Sequence, residues 1–206
     1  MDLPKDYIVY DLETTGLEPS RDQAVEIAAV RMREGQFPTL KVWLLKPTVA
    51  FTPEAQRITG ITDAEIAEHG VDPAFAWREF AAFTGLDQKV QPCPLVGHNI
   101  TRFDNTFVVL ALRHIGIRVP DPMRCIDTAA WYKGRKANMP KLEGETQEYY
   151  AKRVLSTPIK GLGYSLVKVY EEMGGSMEGI KAHRAEADVR MTDFVFRRII
   201  ETQPGL

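Results

Sequence analysis

Residues 6–16 read Asp-Tyr-Ile-Val-Tyr-Asp-Leu-Glu-Thr-Thr-Gly, and the fold is built outward from this stretch. The β-branched and aromatic side chains from Asp6 to Asp11 predict a buried strand that ends at the polar turn Thr14-Thr15-Gly16. Two more strand patterns follow, Val25 to Arg33 and Leu40 to Leu45. The short connection between them favours an antiparallel meander of three strands.

Strand and helix patterns alternate after the meander. Short apolar segments at Pro94 to Gly97 and Arg124 to Asp127 predict two more strands, each followed by a helix. The predicted helices are Pro53 to Ile58, Asp63 to His69, Asp72 to Thr84, Arg102 to Ile115, Thr128 to Lys133, Leu162 to Met173 and Ala185 to Glu201. This order indicates an α/β fold with a mixed five-stranded sheet flanked by helices.

Length and composition are those of one globular domain. We expect a single domain over residues 1–206, in which 44% of residues are hydrophobic and 26% are charged. No apolar run approaches the roughly 20 residues needed to span a bilayer, and the first residues lack the apolar region of a secretory signal, which predicts a cytoplasmic protein. Cys93 and Cys125 are expected to be buried thiols.

The segment from Lys133 to Lys160 is polar, and glycine and proline interrupt it, so we interpret it as an irregular insertion in the domain. Seven basic residues against three acidic ones give it a local charge of +4, whereas the whole chain has a net charge of -2. Two interpretations stay open for this basic insertion. It is either a solvated loop or a flap that grips a nucleic-acid backbone.

Asp11 and Glu13 end the first predicted strand with one residue between them. In an extended strand this spacing places both carboxylates on the same face. Two acids on a buried strand repel each other unless a cation lies between them. Oxygen ligands without cysteine favour Mg²⁺ or Mn²⁺ over zinc.

Two later segments carry further candidates. Asp104 lies in the first turn of the helix predicted after the Pro94 to Gly97 strand, where an acid also suits the helix dipole. His183 and Asp188 are five residues apart, so a loop histidine and a first-turn aspartate can converge on one point. Glu186 is a competing acid, and the helical pattern does not decide which carboxylate faces inward.

Taken together, three segments resemble the DEDD superfamily of 3′–5′ exonucleases, in the histidine-containing (DEDDh) branch that includes the proofreading subunit of bacterial DNA polymerase III and ribonuclease T. These are residues 11–16, residues 98–104 and residues 183–188. Residues 53–62 also resemble the family segment beside the terminal nucleotide. The resemblance covers nearly the whole chain and implies a ribonuclease H-like fold.

The resemblance assigns roles residue by residue. It implies that Asp11, Glu13, Asp104 and Asp188 bind two Mg²⁺ ions, for which Mn²⁺ would substitute, and that His183 is the general base. It thereby favours Asp188 over Glu186. The residues implied to line the pocket for the 3′ nucleotide are Thr14, Thr15, Ile61, Asn99 and Phe103.

The implied reaction is hydrolysis at the 3′ end of single-stranded nucleic acid, DNA in preference to RNA, with release of nucleoside 5′-monophosphates. The resemblance also admits a polymerase or another replication or repair protein as a partner, and a homodimer. Two other classes of protein share parts of this pattern. A haloacid dehalogenase-like phosphatase normally has a second aspartate where this chain has Glu13, and a non-catalytic nucleic-acid-binding module has no need of all five reactive residues.

Overall fold

A mixed five-stranded sheet lies at the centre of the structure, a computed structural model that describes residues 3–202. The strands are β1 (Asp6–Thr14), β2 (Ala24–Arg33), β3 (Thr39–Leu44), β4 (Leu95–Gly97) and β5 (Cys125–Asp127). Their order across the sheet is β3-β2-β1-β4-β5. The first three strands pair antiparallel, while β4 pairs parallel with both β1 and β5. The predicted α/β class and mixed sheet are confirmed.

Eight helices surround the sheet within residues 3–202. They are α1 (Pro53–Thr59), α2 (Asp63–His69), α3 (Pro73–Thr84), α4 (Asp104–His114), α5 (Thr128–Lys136), α6 (Gln147–Ser156), α7 (Leu166–Glu172) and α8 (Ala185–Thr202). No helix in this described range is long and apolar enough to cross a membrane. Residues 1, 2 and 203–206 of the predicted domain lie outside the described residues.

β1 lies in the middle of the sheet and is buried on both faces, because helices pack against each side of it. Tyr7 and Val9 belong to a core shared with α5, α6 and α8, whereas Ile8 and Tyr10 belong to a core shared with α3 and α4. This alternation follows from the two-residue period of a strand. The strand that carries the first acidic pair is therefore held from both sides.

The prediction of an irregular segment from Lys133 to Lys160 is wrong in its central part, because residues 147–156 form α6. The helix begins at Thr146, whose side chain accepts the N–H of Tyr149. It buries four side chains against α5 and β5: Tyr150, Ala151, Val154 and Leu155. These apolar positions recur with helical spacing. The helix was not predicted because most of the residues around them are polar.

Most basic side chains of this segment have partners within the described fold. Ion pairs join Lys136 to Glu172, Lys152 to Glu148 and Arg153 to Glu145. Lys133 is buried and donates to the carbonyl oxygen of Leu155. These contacts pair much of the positive charge of the basic insertion with groups of the protein itself. Its role as a flap that grips nucleic acid stays a prediction.

Candidate active site

A cavity of about 570 Å³ lies at the edge of the sheet where β1 and β4 end. The two strands run parallel, so the segments that leave them meet at this edge. All five residues predicted to carry the chemistry line the cavity: Asp11, Glu13, Asp104, His183 and Asp188. The structure thus brings three segments that are distant in sequence together.

Asp11 and Glu13 lie on the face of β1 that α8 covers. They continue the alternation of Tyr7 and Val9, which pack in the core beneath α8. The ring of Tyr7 meets Phe196 of α8 edge to face, with 5.2 Å between centroids. The packing of α8 on this face brings its first turn to the acidic pair.

Asp104 is the first residue of α4 and is 4% exposed. One of its carboxylate oxygens accepts the N–H of Leu12 at 3.1 Å, between the two acids of β1. This bond joins the start of α4 to the end of β1. It orients the Asp104 carboxylate toward the acidic pair rather than toward solvent.

Asp188 and His183 approach the same acids from the start of α8. Ligand atoms of Glu13, His183 and Asp188 all lie within 4.8 Å of one another. Asp188 is 8% exposed, whereas Glu186 is exposed and pairs with Arg190 at 3.0 Å. The helix therefore presents Asp188, and not Glu186, to the cavity.

Burial and mutual repulsion perturb the acids of β1. Burial, followed by the nearby carboxylates of Asp104, Asp188 and Glu13, raises the pKa of Asp11 well above its usual value. Burial also raises the pKa of Glu13 to about 8, with repulsion from Asp188 and Glu26 adding to it. Both acids are costly to ionise without a compensating positive charge.

The pKa values of the acids on α4 and α8 are also raised, but by less than those of the acids on β1. Burial raises the pKa of Asp104 to about 7, although backbone N–H groups, that of Leu12 among them, oppose the rise. Burial raises the pKa of Asp188 to about 6, and the neighbouring His183 opposes that rise. Four carboxyl groups with raised pKa values in one cavity are typical of a functional site.

The five residues predicted to contact the nucleotide divide into two sets. Asn99 and Phe103 line the cavity. Thr14, Thr15 and Ile61 are buried and are not among its lining residues within the described chain. The Thr15 hydroxyl bonds to Asp22 and Gln23, and Ile61 packs with Val25 and Ile66, so their side chains are engaged inside the fold. Contact of these three with substrate stays a prediction.

The structure adds side chains to which the sequence assigned no individual role. Leu17 and Tyr164 line the cavity, and Leu17 is 84% exposed at its rim. His98 bonds to the Thr128 hydroxyl and to the carbonyl oxygen of Tyr164 at 2.8–2.9 Å, and burial lowers its pKa. The sequence could have pointed to Leu17, because a large apolar residue directly follows the glycine of a turn. It could not have pointed to the contact between His98 and Tyr164, because these residues are 66 positions apart in the chain.

Asp127 is a buried acid to which the sequence assigned no role. It ends β5, and its carboxylate accepts the backbone N–H groups of Asn99, Thr101, Ala129 and Ala130 at 2.9–3.3 Å. The first two of these belong to the turn that leads into α4. Asp127 therefore holds the segment that carries Asn99 and positions the start of α4.

Relatives of known sequence are exonucleases or polymerases that are much longer than this chain. DNA polymerase III PolC-type of Thermotoga petrophila is 32% identical over 196 residues, which is 95% of this chain and 12% of the polymerase. The 3′–5′ exonuclease DinG of Bacillus subtilis is 26% identical over 196 residues, 95% of this chain and 18% of that protein. The chain thus spans less than a fifth of these relatives.

Solved structures of exonuclease I share the fold. The zinc-bound complex of Escherichia coli exonuclease I with single-stranded DNA superposes with a TM-score of 0.77 at 21% identity, covering 98% of this chain and 42% of that one. Exonuclease I from Methylocaldum szegediense gives a TM-score of 0.69 at 27% identity, covering 97% and 41%. The ribonuclease H-like fold implied by the sequence motifs is confirmed.

The family itself is shown by the extent of the match. The exonuclease family model RNase_T matches residues 8–196, which include all three motifs and the sheet except the first two residues of β1. The resemblance to DEDD exonucleases is thereby confirmed. The chain belongs to the RNase_T exonuclease family.

Proposed function

We propose that this chain is a metal-dependent 3′–5′ exonuclease that hydrolyses the terminal phosphodiester bond of single-stranded nucleic acid and releases nucleoside 5′-monophosphates. The observation that carries the proposal is the convergence of four carboxylates and His183 in one cavity. Membership of the exonuclease family and likeness to a 3′–5′ exonuclease support it.

The acidic side chains suit divalent cations. Asp188 Oδ1 is buried and has no hydrogen-bond partner among the described residues, although a buried carboxylate oxygen normally has one. The ligands we propose for two Mg²⁺ ions are Asp11, Glu13, Asp104 and Asp188, with Mn²⁺ able to substitute. When bound, such ions acidify water and neutralise the charge that builds on the phosphoryl oxygens.

His183 is the proposed general base. Its imidazole is exposed at the cavity and lies within 4.8 Å of the carboxylates of Glu13 and Asp188. In hydrolysis, water forms a bond to phosphorus and His183 takes a proton from that water. The bond from phosphorus to the 3′ oxygen of the preceding nucleotide breaks, and that oxygen takes a proton from solvent to become a hydroxyl. The neighbouring carboxylates stabilise the imidazolium that results.

DNA is the substrate we favour over RNA, because single-stranded DNA is the ligand named in the solved exonuclease I complexes. A polymerase or another replication or repair protein is a candidate partner, since relatives carry the matching segment within DNA polymerase III PolC-type. A homodimer and a cytoplasmic location stay predictions from the sequence.

The proposal is tested by digestion of oligonucleotides. Single-stranded DNA and RNA, labelled at either the 3′ or the 5′ end, are incubated with the purified chain in Mg²⁺, in Mn²⁺ and in chelator. We expect immediate release of mononucleotide from the 3′ label, a ladder from the 5′ label and no product in chelator. Product in chelator, or early mononucleotide release from the 5′ label, would contradict the proposal.

A further inference from the structure

Glu26 is a buried carboxylate that the proposed mechanism does not use. It lies on β2 directly opposite Glu13 of β1, and its side chain is only 3% exposed. Among the described residues it is not part of the cavity lining. A carboxylate buried so close to other acids requires compensating partners.

Those partners come from the start of α8. The Arg184 guanidinium donates to both oxygens of Glu26, with the shortest distance 2.7 Å from Nη2 to Oε1. The backbone N–H of Ala185 donates to Oε2, also at 2.7 Å. One carboxylate therefore holds two consecutive residues between His183 and Asp188.

The residues on either side of this contact depend on it. His183, immediately before Arg184, has a φ of 62°, a left-handed conformation that a non-glycine residue keeps only when its surroundings impose it. The carbonyl oxygen of Arg184 accepts the N–H of Asp188 at 3.1 Å in the first turn of α8. The contact with Glu26 thus lies between the strained histidine and the inward-facing aspartate.

We propose that Glu26 is a positioning residue for the proposed exonuclease reaction: its carboxylate, through Arg184 and the N–H of Ala185, fixes the turn that directs His183 and Asp188 at Glu13. The inference rests on the proposed function. Because Glu26 does not line the cavity among the described residues, its proposed effect on the reaction passes through the turn.

Glu65 provides an internal comparison. It accepts from the same Arg184 Nη2 at 3.0 Å, but its side chain is 29% exposed and it does not contact Ala185. Loss of the Glu65 charge leaves every contact of Glu26 with the turn in place. Glu65→Gln is therefore the matched control for Glu26→Gln, which keeps the side-chain shape but loses the charge.

The experiment compares these two variants with the native chain by two measurements. Hydrogen exchange without added metal or substrate follows the amides of residues 185–188, and kcat and KM are measured on a 3′-labelled DNA oligonucleotide in Mg²⁺. For Glu26→Gln we expect exchange of that segment to rise about tenfold while β1 and β3 stay protected. We also expect kcat to fall about 10- to 100-fold with KM within about twofold, and Glu65→Gln to match the native chain.

Unchanged exchange at residues 185–188 in Glu26→Gln would overturn the proposal, whatever the rate. Faster exchange throughout the sheet with an unchanged kcat would also overturn it, because it would show general destabilisation without any effect on the reaction. Faster exchange confined to residues 185–188 with an unchanged kcat would also overturn the proposal, because the reaction would then not depend on how firmly the turn is held. Only the paired local and kinetic effects support the proposal.

Arg184→Lys covers the case in which Glu26→Gln does not fold. Lysine keeps the positive charge but cannot donate to both carboxylate oxygens at once, so we expect an intermediate loss of kcat and of local protection. Native values for both would overturn the proposal. If the native chain digests no oligonucleotide, the proposed function fails, yet the exchange measurement still decides whether Glu26 holds the turn.

Discussion

Asp188 and Glu186 lie two residues apart on α8 but in opposite surroundings, one buried at the cavity and the other exposed. We predict that Asp188→Asn abolishes turnover, because an amide binds a divalent cation far more weakly than a carboxylate does. Glu186→Gln should leave kcat within about twofold of native, as expected for a surface substitution. Single-turnover digestion of a 3′-labelled oligonucleotide measures both, and equal losses in the two variants would contradict the assignment.

His183 offers a different test, because a base acts in the chemical step. We predict that His183→Ala slows hydrolysis by about 10² to 10⁴ while it leaves metal affinity largely intact. Rates at saturating Mg²⁺ and calorimetric titration with Mn²⁺ measure the two quantities separately. An unimpaired rate in this variant would remove His183 from the mechanism.

At the residue scale the sequence alone reached the five candidates only through their combined resemblance to a family. Spacing could place Asp11 and Glu13 on one face, but it could not choose between Glu186 and Asp188, because both lie in the first turn of α8. The choice depends on which side of the helix packs on β1. The sequence shows no sign of the role of Glu26, because its partners, the Arg184 guanidinium and the N–H of Ala185, lie 158 and 159 residues away. Asp127 could have been recognised only as a cap for α5, because its other two partners, the N–H groups of Asn99 and Thr101, are distant in the chain.

At the scale of elements, Asp127 joins β5, α5 and the turn before α4 through four backbone N–H groups. We predict that Asp127→Ala lowers the free energy of unfolding by about 2–4 kcal/mol, because it leaves buried donors without an acceptor. Asp72→Ala is the control, since Asp72 is exposed and caps α3 through the N–H of Phe75. We expect Asp72→Ala to lower the free energy of unfolding by about 1 kcal/mol. Urea unfolding measures both, and equal losses would contradict this role for Asp127.

Elements with a strong period were predicted well, and those with polar surroundings were not. The three strands of the meander and the long α8 follow from apolar spacing. α6 was not predicted because glycine, proline and charged residues flank it in the sequence. The helix also buries side chains along only one narrow face. α6 is buried by its contacts with α5 and β5, and a local sequence pattern does not show contacts between separate elements.

For the whole molecule, the raised pKa values predict how stability depends on pH and metal. Without metal, the folded state holds protons on Glu13, Asp104 and Asp188 up to about pH 8, 7 and 6, whereas the unfolded chain releases them near pH 4. Because the folded state binds more protons in that range, its stability falls as pH rises. We expect Tm in chelator to drop between about pH 5 and pH 8 by at least roughly 2–4 °C, the equivalent of about 1 kcal/mol.

Addition of Mg²⁺ should reduce or abolish this drop, because a bound cation favours the ionised carboxylates. Thermal unfolding is followed in chelator and in Mg²⁺ across the pH range, with monovalent salt of the same ionic strength as the control. A drop that persists unchanged in Mg²⁺, or that salt removes equally well, would argue against cation binding by these acids.

α8 carries one acid of a cavity whose first two acids lie on β1. During synthesis, Asp11 and Glu13 emerge from the ribosome well before α8 does. A nascent polypeptide that has not yet reached α8 therefore lacks Asp188, and the acids of β1 cannot meet it. The order of the elements along the chain thus delays assembly of the four-carboxylate cluster until α8 has been synthesised.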